Sequence, residues 1–161
     1  MTVAWPTTEI ERVLFIADTQ VLVTETPANT NTGPKVEEYL KSVGLAKGNP
    51  WCAAAVAWCG VKALGAHWPL PLTGSCQQLY EKAKAKNLVR SSPEIGDVFL
   101  LWFPKLNRFA HTGFIEKAGP KLYEWTTIEG NTSGAGSREG WGCFRRTRSF
   151  NPEDRFVRWS P

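Results

Sequence analysis

Residues 49–65, NPWCAAAVAWCGVKALG, govern how the rest of the chain is read. Asn49 is a favoured N-cap, and a residue before proline is held out of the helical region. Pro50 suits the first helical position, where its missing N–H costs nothing, and Gly65 is a natural C-terminal cap. The spacing therefore predicts a helix opening at Pro50, with Cys52 in its third position. Unpaired N–H groups and the positive end of the helix dipole meet at that first turn and favour a thiolate, the nucleophilic form of cysteine. Ala53 to Ala55 keep the surroundings small, so that a substrate backbone can come close. The plainer reading, an inert helical thiol, suits Cys59, seven residues further along the same face.

Upstream of this stretch, Thr8 and Glu11 form a capping-box pattern. Ile10, Val13, Leu14, Ala17 and Val21 then recur at helical spacing, giving a first helix to about Val23. Glu25 to Gly33 is polar loop; Pro34 opens a second helix with Val36, Leu40 and Val43 inward, and Gly44 ends it. Downstream, Thr73 or Ser75 starts a fourth helix to about Lys86. From Ile95 the pattern changes to strands: Val98 to Phe103, Thr112 to Glu116, Leu122 to Ile128, Cys143 to Thr147 and Phe156 to Trp159. Helices followed by strands predict an α+β fold, with helices packed on one face of an antiparallel sheet. No repeat, low-complexity tract or linker divides residues 1–161, which read as one domain.

Composition narrows the functional classes. A chain with 42% hydrophobic and 21% charged residues can build a core and is not disordered. Its eight Trp and eight Phe read first as core filling and second as a groove for sugar rings. The net charge of +4 is mild, and Arg145, Arg146, Arg148, Arg155 and Arg158 read as a solvated basic face. No helix-turn-helix, zinc-finger or RNA-binding signature accompanies it, so nucleic acid is not expected as a partner. No apolar run is long enough to span a bilayer. The opening MTVAWPTTEIERV lacks a basic segment followed by an apolar one. Synthesis in the cytoplasm without a signal peptide is therefore expected, with delivery by other means if the substrate lies outside. The cysteines, Cys52, Cys59, Cys76 and Cys143, form no C-x-x-C pair and have only two histidines beside them. Neither a structural zinc site nor any cofactor is expected. Three of the thiols are read as small buried hydrophobes, leaving Cys52 for chemistry.

A nucleophilic thiol needs a base, and the choice is His67 or His111. His67 lies in a turn-like AHWPLP. His111 opens the strand HTGFIEK on the same face as Gly113, whose missing side chain leaves room for a substrate or another backbone. Glu129 and Asn131, in TIEGNT, share a face of the next strand and are candidates to orient the imidazole. A tight hairpin at Ala118-Gly119 would place His111 near Thr126 and leave Glu129 about 10 Å further along. A longer or bulged turn would remove that offset. Glu116 lies on the opposite face.

Together, PWCAAAVAWC, GDVFLL, HTGFIEK and TIEGNT resemble, in order and spacing, the CHAP domains, or cysteine, histidine-dependent amidohydrolases/peptidases. The likeness runs from about Glu25 to Arg146 and includes the helix NTGPKVEEYLKSVGL before the cysteine. It implies a papain-like fold and hydrolysis of a peptidoglycan amide bond through a cysteine thioester. The bond would be that of an N-acetylmuramoyl-L-alanine amidase or of a peptide endopeptidase. By motif position Cys52 takes the place of the nucleophile, His111 of the base, Glu129 of the acidic third residue and Asn131 of the assisting asparagine. Trp51 and Gly113 become candidate substrate-binding residues. Ala55 departs from the phenylalanine of the common CAAFV version. Some members bind calcium before the cysteine; here Glu25, Asn29 and Asn31 stand in that stretch without an aspartate, so no metal is expected. A monomer acting at the bacterial cell wall or periplasm is expected, either as a phage lysin or as an antibacterial effector, the latter with an immunity protein as partner. Two other readings stay open: a papain-like toxin or deamidase acting on a protein, and a catalytically silent wall-binding module.

Overall fold

The computed structural model describes residues 6–133 and 140–161. Its helices, in chain order, are α1 (Glu9–Thr19), α2 (Pro34–Ser42), α3 (Cys52–Leu64) and α4 (Cys76–Ala85). The strands are β1 (Val89–Arg90), β2 (Val98–Phe103), β3 (Arg108–Ala118), β4 (Trp125–Thr132), β5 (Gly142–Arg148) and β6 (Arg155–Val157). The strands form one antiparallel sheet in the order β1-β6-β2-β3-β4-β5. The helices pack against it, giving the α+β arrangement read from the sequence.

Helix α3 is the pivot. It is buried from Cys52 through Gly60 and packs on α1, α2, β3 and β4. An apolar surface all round is what an alanine-rich, uncharged sequence supplies, because a helix with no polar face must be enclosed. Gly60 lets the helix come against the Trp68 ring, which a Cβ there would meet at 2.1 Å. Trp68 in turn packs on Trp159, ring centroids 4.9 Å apart, closing the chain end onto the core.

Several boundaries depart from the sequence reading, each for a local reason. Helix α1 ends at Thr19 and not near Val23, because the following segment is taken by the sheet. Leu22 adopts a left-handed φ of 74°, its N–H donates to the Cys143 carbonyl, and Thr24 bridges Gly142. Helix α3 opens at Cys52 and not Pro50, which makes Cys52 its first residue instead of its third. Strand β1 was not anticipated; two residues are enough to pair with β6. Strand β6 stops at Val157, and the Trp159 indole N–H donates to the Gly96 carbonyl instead. The basic face expected near the C-terminus is partly consumed in ion pairs: Arg145 with Glu116 and Asp18, Arg148 with Glu129, and Arg158 with Asp97. Among the described residues no helix is long and apolar enough to cross a membrane. Residues 1–5 of the N-terminal stretch expected to lack a signal peptide lie outside the described residues.

Candidate active site

The start of α3 is fixed by residues far away in sequence. The Trp51 backbone N–H donates to Asn131 Oδ1 at 3.0 Å, and its indole N–H donates to Glu25 Oε1 at 2.8 Å. Glu25 Oε2 accepts from the N–H groups of Thr30 and Asn31, so one buried carboxylate ties the loop after α1 to the helix start. Asn131 is held at φ 55° and also donates to Asn31 Oδ1 and to the Gly140 carbonyl. Such side-chain bonds take over the capping task that Asn49 was expected to perform.

The imidazole and its carboxylate come from the sheet. Strands β3 and β4 pair Phe114 with Ile128 and Ile115 with Thr127, then shift so that Lys117 meets Thr126. The connection runs through Gly119 to Glu124 instead of turning tightly at Gly119. This combination removes the expected offset and sets His111 Nε2 2.7 Å from Glu129 Oε2. A second bulge, between Leu101 and Trp102, leaves Ala110 unpaired beside His111. Bulges re-aim side chains in this way. Glu129 is fully buried and spends its other oxygen on the Thr127 hydroxyl, at 2.6 Å, and on Arg148. Arg148 Nη2 also donates to Oε2 at 2.7 Å.

The electrostatics follow from these contacts. Burial alone would push Glu129 up, but hydrogen bonds from Arg148 and His111 outweigh it and hold the carboxyl at about 2. Burial opposes charge on His111, yet Cys52 and Glu129 lift it to about 9. The Cys52 thiol lies well below its ordinary range. A hydrogen bond from Cys76 contributes most; burial works against it, and His111 and the Ala53 N–H add to the stabilisation. Nε2 of His111 being engaged by Glu129, the free nitrogen is Nδ1, which is buried without a hydrogen-bond partner. Hydrogen bonding and opposite charge both act between Cys52 and His111, although no contact at Nδ1 meets strict hydrogen-bond geometry.

A cavity of about 200 Å³ is lined by Cys52, Cys76, Asn49, Ser75, Arg108 and Ala110. A hollow of about 810 Å³ lies between Ser92, Tyr123 and Phe150, and none of Cys52, His111 and Glu129 lines it. Size alone would favour the second; chemistry favours the first.

The structure brings Cys52, His111 and Glu129 together and assigns the other candidates to support. Trp51, read as a substrate contact, is fully buried and stacks on Tyr39 at 5.6 Å. The space above Gly113 is filled from within, since a Cβ there would meet the Ile128 carbonyl at 2.5 Å and Glu129 Cγ at 3.0 Å. Asn131 bonds the start of α3 and makes no bond to His111. Two neighbours escaped the sequence reading. Cys76, taken for a core thiol, has its Sγ 3.7 Å from that of Cys52. Its position directly after the N-cap Ser75 was the available signal. Arg148 was read as solvated; the pairing of Glu129 with Phe144 puts 144, 146 and 148 on the carboxylate's face, which only the register reveals.

Fold and site together define an α+β protein in which a thiol lines a small cleft, with an imidazole and a carboxylate buried behind it. No family model matches the chain, and no curated protein matches it. Two solved structures share its fold. The crystal structure of Ly7917 with the hydrolyzing product of MDP superposes with a TM-score of 0.54 at 16% identity, covering 94% of this chain and 63% of that one. The crystal structure of Ly7917 gives 0.50 at 19% identity, covering 94% and 62%. The chain thus spans just under two thirds of the Ly7917 chains it matches, and at this identity the likeness is one of fold.

Proposed function

We propose that this chain is a peptidoglycan hydrolase cutting an amide bond through a thioester on Cys52. The observation that carries the reading is the pairing of His111 with Glu129 at 2.7 Å, beside a thiol at the start of a buried helix. The resemblance of its motifs to those of CHAP domains supports it, as does a structural neighbour solved with the hydrolyzing product of MDP.

In this scheme Glu129 holds Nε2–H, fixing the tautomer that leaves Nδ1 to exchange a proton with Cys52. The thiolate attacks the amide carbonyl, and the imidazolium protonates the departing amine. His111 then takes a proton from water, which hydrolyses the thioester and frees the carboxylate product. The Cys52 N–H, in the first turn of α3, is a candidate donor to the oxyanion; such a donor is typically worth about 3–4 kcal/mol. Arg108 gives the cleft a positive wall. Among the described residues no carboxylate pairs with it, and none lines the cavity. It is placed to meet a substrate carboxylate, a group that the stem peptides of peptidoglycan carry.

The test is digestion of purified sacculi followed by mass spectrometry of the soluble fragments. A new amine and a new carboxyl at one defined amide, absent with Cys52→Ala, is the expected result. Sacculi left intact by the wild-type chain, or cut equally well by Cys52→Ala, would overturn the proposal.

A further inference from the structure

The hydrolytic scheme gives Cys76 no covalent step, yet its position is unusual. Its Sγ stands 3.7 Å from the Cys52 Sγ, with no disulfide between them. A disulfide brings two sulfurs to about 2.05 Å, so closure needs a movement of under about 2 Å shared between two short side chains. Each cysteine is the first residue of a helix, Cys52 of α3 and Cys76 of α4, so two positive helix ends bear on one pair of sulfurs. Both line the same cleft and retain slight exposure, 5% and 4%. Cys59 and Cys143, equally buried, do not line it.

The geometry points to Cys52 and Cys76 as a reversible oxidation site, where a hydroperoxide entering the cleft converts the nucleophile into a disulfide and halts hydrolysis. The loss of hydrolysis rests on Cys52 being the nucleophile; the disulfide itself does not. In the first step the Cys52 thiolate attacks the peroxide oxygen. The O–O bond breaks, the departing oxygen takes the proton held by the His111 imidazolium and leaves as alcohol or water, and Cys52 becomes a sulfenic acid while the peroxide is reduced. In the second step the Cys76 sulfur attacks the sulfenic sulfur. The S–O bond breaks, and the hydroxyl leaves as water with the Cys76 proton. A dithiol reductant supplies two electrons and two protons to restore both thiols. The site makes this order natural, since the Cys52 thiol is depressed and the Cys76 thiol raised, the latter by its bond to Cys52, burial and the Cys52 charge. Cys76 would then be the resolving thiol that keeps Cys52 from irreversible over-oxidation.

The experiment treats the full chain with hydrogen peroxide, maps its peptides without reduction, and measures hydrolysis of sacculi before and after dithiothreitol. The expected result is a Cys52–Cys76 linked peptide that has lost two hydrogens, with hydrolysis lost and then regained on reduction. Cys76→Ser and Cys76→Ala, each scored against its own untreated rate, should form sulfinic or sulfonic acid at Cys52 and fail to recover. A wild-type chain that is oxidised without any linked peptide, or Cys76 variants that recover as fully as wild type, would overturn the switch. A linked peptide accompanied by undiminished hydrolysis would refute Cys52 as the nucleophile and leave the oxidation site standing, so the two failures are told apart.

Discussion

Cys52 and Cys59 stand on one face of one helix and are buried alike, 5% and 3% exposed, yet their sulfurs are driven in opposite directions. Cys52 meets a helix terminus, a neighbouring thiol and an imidazole, and is depressed. Cys59 meets burial first and the charge of Cys143 second, and is raised beyond the range in which a thiol ionises. Burial does not make a cysteine inert or reactive by itself; what decides is whether the buried sulfur is met by donors and positive charge.

The sharpest way to break this contrast is to exchange the two sites. Cys52→Ala should bring hydrolysis of sacculi to background, whereas Cys59→Ala should keep it and lose about 1 kcal/mol of stability by chemical denaturation. Comparable loss of activity in both variants would mean that the helix, and not the site, had been perturbed. Next in size is Glu129→Gln. It removes the charge that opposes Arg148 and orients His111, so kcat should fall at least about a hundredfold. Stability should fall by about 3–5 kcal/mol, because Arg148 is left without its partner. The wild-type carboxylate, depressed to about 2 from 4.5, contributes stability that is complete above the higher value and lost as pH falls toward the lower one. Acid unfolding of the variant should lack that portion of the transition.

A third measurement uses pH without mutation. His111 holds its proton up to about 9, so kcat/KM should decline as pH rises through that value and the general acid is lost. At pH near 6, iodoacetamide should label Cys52 while Cys59 and Cys143, the latter raised to about 12, stay unreacted. Equal labelling of all three would erase the distinction between the sites. Arg108→Ala should raise KM about tenfold or more with kcat nearly kept, since a charged hydrogen bond to substrate is worth about 1.5–3 kcal/mol. The smallest effect is expected for Asn131→Ala. It frees the Trp51 N–H at the start of α3 and should cost about 1–3 kcal/mol in thermal or chemical unfolding, with a milder loss of kcat than Glu129→Gln.

The helices and the strand half were legible because periodicity and caps are local signals, and a short list of histidines was enough to single out His111 as a candidate. The sequence did not carry the geometry between strands. Period-two counting put Glu129 and Asn131 on one face, but a one-residue shift between Ile115 and Lys117 and a six-residue turn decided whether Glu129 met His111. Arg148 joins the carboxylate only through the β4–β5 register. Trp51 misled for another reason: an aromatic beside a nucleophile suggests a binding surface, while Glu25 and Tyr39 show it to be an anchor. The start of α3 moved by two residues because Asn131 and Glu25, distant in sequence, hold Trp51 out of the helix.

Among the described residues, the register of the sheet shifts at Ala110, at Ile115–Lys117 and across Glu129–Thr132, which brackets His111 and Glu129 on both of their strands. Each shift interrupts the ladder of amide bonds that would otherwise make the sheet open as one body. Amide protons near His111 and Glu129 are therefore set to exchange with solvent through small local openings, while those of β2 against β6, where pairing is unbroken, wait for global unfolding. The strands that carry His111 and Glu129 are then hinged apart from the strands that bear the fold, and the first can open without loosening the second.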